Sequence, residues 1–141
     1  MFETILIPTD GSEYAETAAE TGLELARSHD AAVHVLSVVD TGPLGNLRLP
    51  GDVGSASEVL EERAREFVAR IAESEAADGL DVTTVVRSGP AENEILEYAE
   101  EVDADAIVIA TRGRGGVHRM AVGSVTDHLI RFGDRPVFVV D

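Results

Sequence analysis

The sequence predicts an α/β fold: one doubly wound, five-stranded parallel sheet with helices on both faces. Two observations carry that expectation. Strand-like runs stand at 4–8, 32–39, 82–86, 106–110 and 136–140, and those at 4–8 and 106–110 are close to continuously apolar, the pattern of strands covered on both faces rather than one. Between them lie segments whose apolar residues recur at helical spacing, and helices between successive strands imply right-handed crossovers and a parallel sheet. A third observation bounds the size. At 141 residues and 44% hydrophobic content the chain is long enough to bury a core, and shows no internal repeat or linker, so a single domain over 1–141 is expected.

The first strand, Thr4-Ile5-Leu6-Ile7-Pro8, ends in the turn Thr9-Asp10-Gly11, and a helix is expected from about Ser12 to His29. Its inward stripe, Ala15, Ala18, Ala19, Gly22 and Ala26, is built of small residues that let the helix approach the sheet closely. Ala32–Val39 is the second strand, where His34 reads as a partly buried histidine rather than a ligand. Residues 40–54 are dense in glycine and proline, and no regular element is expected there. Ser55 and Glu58 then have the spacing of a capping box. The helix they open repeats Leu60, Ala64, Phe67 and Ile71 and is expected to end at Gly79, with Glu61–Arg65 and Glu66–Arg70 on its wet side. A third strand at Val82–Val86, a helix opened by Gly89-Pro90 with Ile95, Ala99 and Val102 inward, and a fourth strand at Ala106–Ala110 follow. The fourth strand is almost purely apolar and should be interior. A glycine-rich loop, a short helix from about Ser124 to Phe132 and a fifth strand at Pro136–Val140 complete the chain.

Composition removes several function classes. Asp and Glu total 27 against 11 basic residues, for a net charge of −16, and all of the basic residues are arginine. Nucleic acids and anionic membranes both need basic patches, so neither is an expected partner. An ordinary acidic protein is one reading of this surface; adaptation to a salt-rich cytosol is the other, and the one we adopt, because near 1 M salt the Debye length falls to about 3 Å and self-repulsion is screened. With no cysteine, disulfides and thiolate chemistry are absent. No apolar stretch approaches the roughly 20 residues of a membrane span, and Met1-Phe2-Glu3-Thr4-Ile5 lacks the basic start of a secretory signal, so a cytoplasmic location is expected.

In an open parallel sheet, ligands bind beyond the carboxyl ends of the strands where the strand order reverses. Two loops are placed there: Pro8-Thr9-Asp10-Gly11-Ser12, and Ala110-Thr111-Arg112-Gly113-Arg114-Gly115-Gly116 continuing to Gly123-Ser124-Val125. Glycines let backbone N–H groups approach an anion, and a helix N-terminus adds unpaired donors, so the second loop reads either as a phosphate cradle or as a plain loop with a Gly-Ser helix start. These residues, with Ser88-Gly89-Pro90 and the closing Arg135-Pro136-Val137-Phe138-Val139-Val140, resemble the universal stress protein family over essentially the whole chain. The resemblance implies a Rossmann-like fold of the adenine nucleotide α-hydrolase-like type. It also implies a regulatory module that binds ATP or ADP, with or without Mg²⁺ or Mn²⁺ on the phosphates, and a homodimer formed through the last strand. Nucleotide-binding members carry Gly-x2-Gly-x9-Gly-Ser/Thr. Gly113, Gly123 and Ser124 fall on that pattern, and Ala110 stands at its first glycine. By the same resemblance Pro8, Thr9 and Asp10 lie near the nucleoside and Val38 near the adenine. Gly113, Gly123, Ser124 and Val125 line phosphates and ribose, and Arg112 and Arg114 flank the cradle. A member that has lost nucleotide and works by dimerising is the alternative, favoured by Ala110.

Other chemistries fit less well. A Walker loop needs a lysine, and the chain has none. A phosphoacceptor receiver would pair a second acid with Asp10 and also needs a lysine. In a dinucleotide fingerprint begun at Gly113, His118 occupies the third glycine. Ser124, Asp127 and His128 crowd one helix, whereas a triad needs its histidine held between serine and acid from different elements. His118 and His128 are too few and too poorly surrounded to suggest a metal site. No catalytic residue is expected.

Overall fold

The computed structural model describes residues 2–40, 56–112 and 123–141. The elements are β1 (Thr4–Pro8), α1 (Glu13–His29), β2 (Ala32–Val39), α2 (Ala56–Ala72), a 3-10 turn (Glu75–Ala77), β3 (Val82–Ser88), α3 (Ala91–Glu101), β4 (Ala106–Ala110), α4 (Ser124–Phe132) and β5 (Val137–Val140). The strands form one five-stranded sheet in the order β3-β2-β1-β4-β5, and every pairing is parallel. The chain walks outward from β1 through β2 to β3, then crosses back to β4 on the other side of β1. The order therefore reverses between β1 and β4, and their carboxyl ends open a crevice there.

Side-chain alternation sorts the core into two layers. Ile5, Ile7, Val33, Val35 and Val108 face α1 and α2, meeting Ala19, Leu23, Val68 and Ile71. Leu6, Leu36, Ile107 and Ile109 face α3 and α4, meeting Ile95, Tyr98, Ala99 and Leu129. Burial on both faces explains the unbroken apolar runs of β1 and β4. The small-residue stripe of α1 brings the helix hard against the sheet: Ala15, Ala18, Ala19, Gly22 and Ala26 are all buried, and a Cβ on Gly22 would come within 2.7 Å of Ile7 Cδ1. β4 is interior and β5 is an edge.

Several elements depart from the expectation. α2 stops at Ala72 rather than running to Gly79. The Ser74 hydroxyl donates to the Ile71 carbonyl at 2.7 Å, and Arg27 from α1 takes the Ala76 and Asp78 carbonyls at 2.8 and 2.9 Å. A tertiary contact thus holds the segment as a separate turn, with Gly79 (φ +81°) serving that turn's exit and not the helix. Along α2 the buried stripe is Ala64, Val68 and Ile71, while Leu60 is exposed. Glu61–Arg65 does pair, but Arg70 reaches across to Glu16 of α1. β3 extends two residues further than expected, to Ser88, paired in register with β2. Residues 41–55, including the Ser55 cap, lie outside the described residues.

Candidate functional site

The β1–α1 junction is a tight, self-bonded turn. Thr9 N–H donates to the Leu36 carbonyl at 2.8 Å, tying the turn to β2. Gly11 N–H donates to Thr9 Oγ1 at 3.2 Å and Ser12 N–H to Asp10 Oδ1 at 2.9 Å. Ser12 then caps α1, its Oγ accepting Ala15 N–H at 3.1 Å. The glycine is required here: its φ is +80°, where other residues are strained, and a Cβ would overlap the ring of Phe67 from α2.

The junction after β4 is built differently. α4 begins at Ser124 with Gly123 as its N-cap, so no side chain caps it. What anchors it instead is Thr126, buried, whose Oγ1 donates to the Ala110 carbonyl at 2.8 Å. Gly123 N–H also donates to the Thr111 carbonyl. Ser124 is exposed. Arg112 lies over the Tyr14 ring, 5.1 Å from its centroid, and its Nη2 donates to Asp141 Oδ1 at 3.4 Å.

Between the two junctions is a cleft of about 360 Å³. Pro8, Thr9, Asp10, Val38, Ala110, Arg112, Gly123, Ser124 and Val125, all singled out from the sequence, line it together. Gly113 and Arg114 lie outside the described residues. Sequence reasoning missed Ala15, Leu36, Ala91, Ile95, Ile109 and Thr126, which also line it. Leu36, Ile109 and Ile95 read as ordinary core residues; only their place in the carboxyl-terminal halves of β2 and β4 and the first half of α3 borders them on the cleft. The result is an apolar wall beside β2 and α3 and a polar end where α1 and α4 begin. Ala110, at the position where the nucleotide-binding pattern has glycine, has a negative φ and pairs with Val140 as ordinary strand. Its backbone does not demand glycine.

One turn along α3 from Ile95, outside the cleft, Tyr98 OH lies 2.7 Å from His34 Nδ1 and Arg87 stacks on the Tyr98 ring. Burial pushes the Tyr98 phenol up and the His34 imidazole down, the latter against the pull of Asp81. Hydrogen bonding to Arg87 holds Glu101 below the usual carboxylate range. Asp127 accepts from Arg131 at 2.9 Å, and the His128 ring lies tilted against Phe132 with centroids 4.7 Å apart. Among the described residues no group of three or more His, Asp or Glu is placed to hold a metal ion. No helix among them is long and apolar enough to cross a membrane.

Three likenesses bear on this site. A universal stress protein of Methanocaldococcus jannaschii is 35% identical over 140 residues, covering 99% of this chain and 82% of that protein. The solved structure of the hypothetical protein MJ0577 superposes with a TM-score of 0.80 at 26% identity, covering 99% of this chain and 96% of that one. A universal stress protein solved in complex with cAMP shares the fold, with a TM-score of 0.76 at 19% identity, covering 99% of this chain and 97% of that one. The model of the Universal stress protein family matches residues 1–141, and with a relative this similar along its length the chain belongs to that family.

Proposed function

We propose that this protein binds an adenine nucleotide, ATP or ADP, in the cleft between β1 and β4 and acts as a regulatory stress-response module rather than as a catalyst. The observation that carries the reading is the convergence of Asp10, Val38, Ala110, Arg112, Gly123, Ser124 and Val125 on one crevice at the switch point of the sheet. A volume of about 360 Å³ is in the range of small-molecule sites, and the cleft has the usual make-up, mostly apolar with a few placed polar groups. The apolar wall of Leu36, Val38, Ile95 and Ile109 suits a planar base. The uncapped start of α4, with Ser124 beside it, suits phosphate. A divalent ion, Mg²⁺ or Mn²⁺, would ride on the phosphates. The cAMP complex of a protein of the same fold supports an adenine ligand. Titration calorimetry in molar KCl tests this: saturable heat with micromolar affinity is expected, and no heat with millimolar ATP or ADP, with or without Mg²⁺, overturns it.

A second reading, dimerisation through β5, has its own support and is compatible with the first. β5 is an edge strand carrying exposed Phe138 and Val139, and Phe132 of α4, 68% exposed, is also uncovered. An apolar edge with unpaired backbone invites a second copy. Light scattering at micromolar concentration in high salt should give a dimer mass; a monomer overturns it. We also attribute the charge of −16 to a salt-rich cytosol, which requires the melting temperature to rise from dilute buffer to molar KCl.

A further inference from the structure

The charges of the cleft point to a selector. Among the described residues that line it, Asp10 and Arg112 are the charged ones, so Arg112 is the one cation among them, in a protein whose net charge of −16 repels anions. Its side chain is only 13% exposed, which raises the strength of any ion contact it makes. Three elements fix where it lies: β4 ends two residues before it, Tyr14 in the first turn of α1 supports its guanidinium, and Asp141, one residue beyond β5, accepts its hydrogen bond. The Asp141 carboxylate is 82% exposed and at 3.4 Å, and also accepts from Thr111 Oγ1 at 3.3 Å. An ion pair with so exposed a partner is weak.

We infer that Arg112 sets the charge preference of the cleft, exchanging the Asp141 carboxylate for a ligand phosphate, and that Asp141 is a built-in competitor. This rests on the reading of the cleft as an adenine-nucleotide site and adds which ligands it prefers: those with the most phosphate charge near the start of α4. A guanidinium matches phosphate geometry better than a single, loosely held carboxylate oxygen does. Adenosine, which offers no anion, leaves the Arg112–Asp141 pair in place; ADP and ATP displace it. Occupancy of the cleft is thereby felt at the residue that follows the edge strand β5.

The test measures the dissociation constants of adenosine, AMP, ADP and ATP for the full chain in molar KCl, and takes the ratio of adenosine to ATP. Arg112→Gln should lower that ratio by about tenfold. Asp141→Asn, at an exposed position where folding is not at risk, should raise it severalfold. Inorganic tripolyphosphate serves as a probe without adenine, read by its shift of the melting temperature, a shift that Arg112→Gln should remove. If Arg112→Gln moves adenosine and ATP equally, Arg112 is merely structural and the inference falls while the nucleotide reading stands. An unchanged ratio in Asp141→Asn also overturns it. If every adenine ligand fails but tripolyphosphate is held through Arg112, the nucleotide reading falls and this inference stands. If tripolyphosphate fails as well, both are overturned.

Discussion

The cleft is bounded by two strand-to-helix junctions that solve the same local problem in opposite ways. After β1, the turn satisfies itself: Thr9 and Asp10 side chains accept Gly11 and Ser12 N–H groups, and Ser12 caps α1. After β4, the N-cap is Gly123, which has no side chain to offer, and the anchor is Thr126 two residues inside the helix, bonded back to the strand. The first junction caps its donors with its own side chains; at the second, among the described residues, no side chain caps the start of α4, which is where the proposed function places the phosphates. The contrast shows two ways to hold a helix start, by a side-chain cap or by an anchor inside the helix, and on the proposed function the second way is the one that serves a ligand.

The contrast breaks most readily at Gly11. Gly11→Val adds a β-branched side chain at φ +80° that overlaps the Phe67 ring. Left-handed strain and overpacking together should cost roughly 2–5 kcal/mol, seen as a lower urea midpoint at fixed high salt. A loss under about 1 kcal/mol would mean the first turn is not the rigid member of the pair. The two serines sharpen the comparison further. Ser124→Ala should weaken ATP about tenfold, equivalent to about 1.4 kcal/mol, and barely change the melting temperature. Ser12→Ala should do the reverse, removing a cap bond of about 1 kcal/mol from stability and little from affinity. Equal effects of both serines on either readout would erase the distinction between the junctions.

Much of this was legible in the residues. β2 at Ala32–Val39 and α4 at Ser124–Phe132 were read with their observed bounds, because each pairs strong periodicity with a clear start or stop. The lining of the cleft was half legible. Loop residues of the glycine-rich turns carry a local signal, whereas Leu36, Ile95 and Ile109 carry only a core signal, and which side of them stays uncovered is decided by the strand order. The end of α2 was misplaced for a similar reason. Gly79 is a sound stop by local rules, but Arg27, about 50 positions earlier in the chain, claims the Ala76 and Asp78 carbonyls and ends the helix sooner. The partners of Arg112 were equally invisible, since Tyr14 and Asp141 meet it only once β1, β4 and β5 are side by side.

The smallest effect is expected at Ala110, where the two junctions can be told apart by a single methyl. The nucleotide-binding pattern of the family has glycine at this position, and a glycine is needed either for backbone conformation or for close approach. Conformation is not the reason here, since Ala110 has a negative φ and is paired with Val140, in contrast to Gly11. Close approach is not compelled either. Ala110 borders the cleft, but alternation along β4 puts its side chain on the face of Val108, on the α1 side, and away from the apolar wall that Ile109 shares with Ile95. Ala110→Gly therefore should leave ATP affinity within about twofold. Its cost should appear in stability, about 0.5–1 kcal/mol, because glycine in a strand loses more backbone freedom on folding. Calorimetry and urea unfolding on the same preparation check both halves. A tenfold gain in affinity would show that the methyl obstructs the ligand, and that the second junction, like the first, is one where a glycine is required.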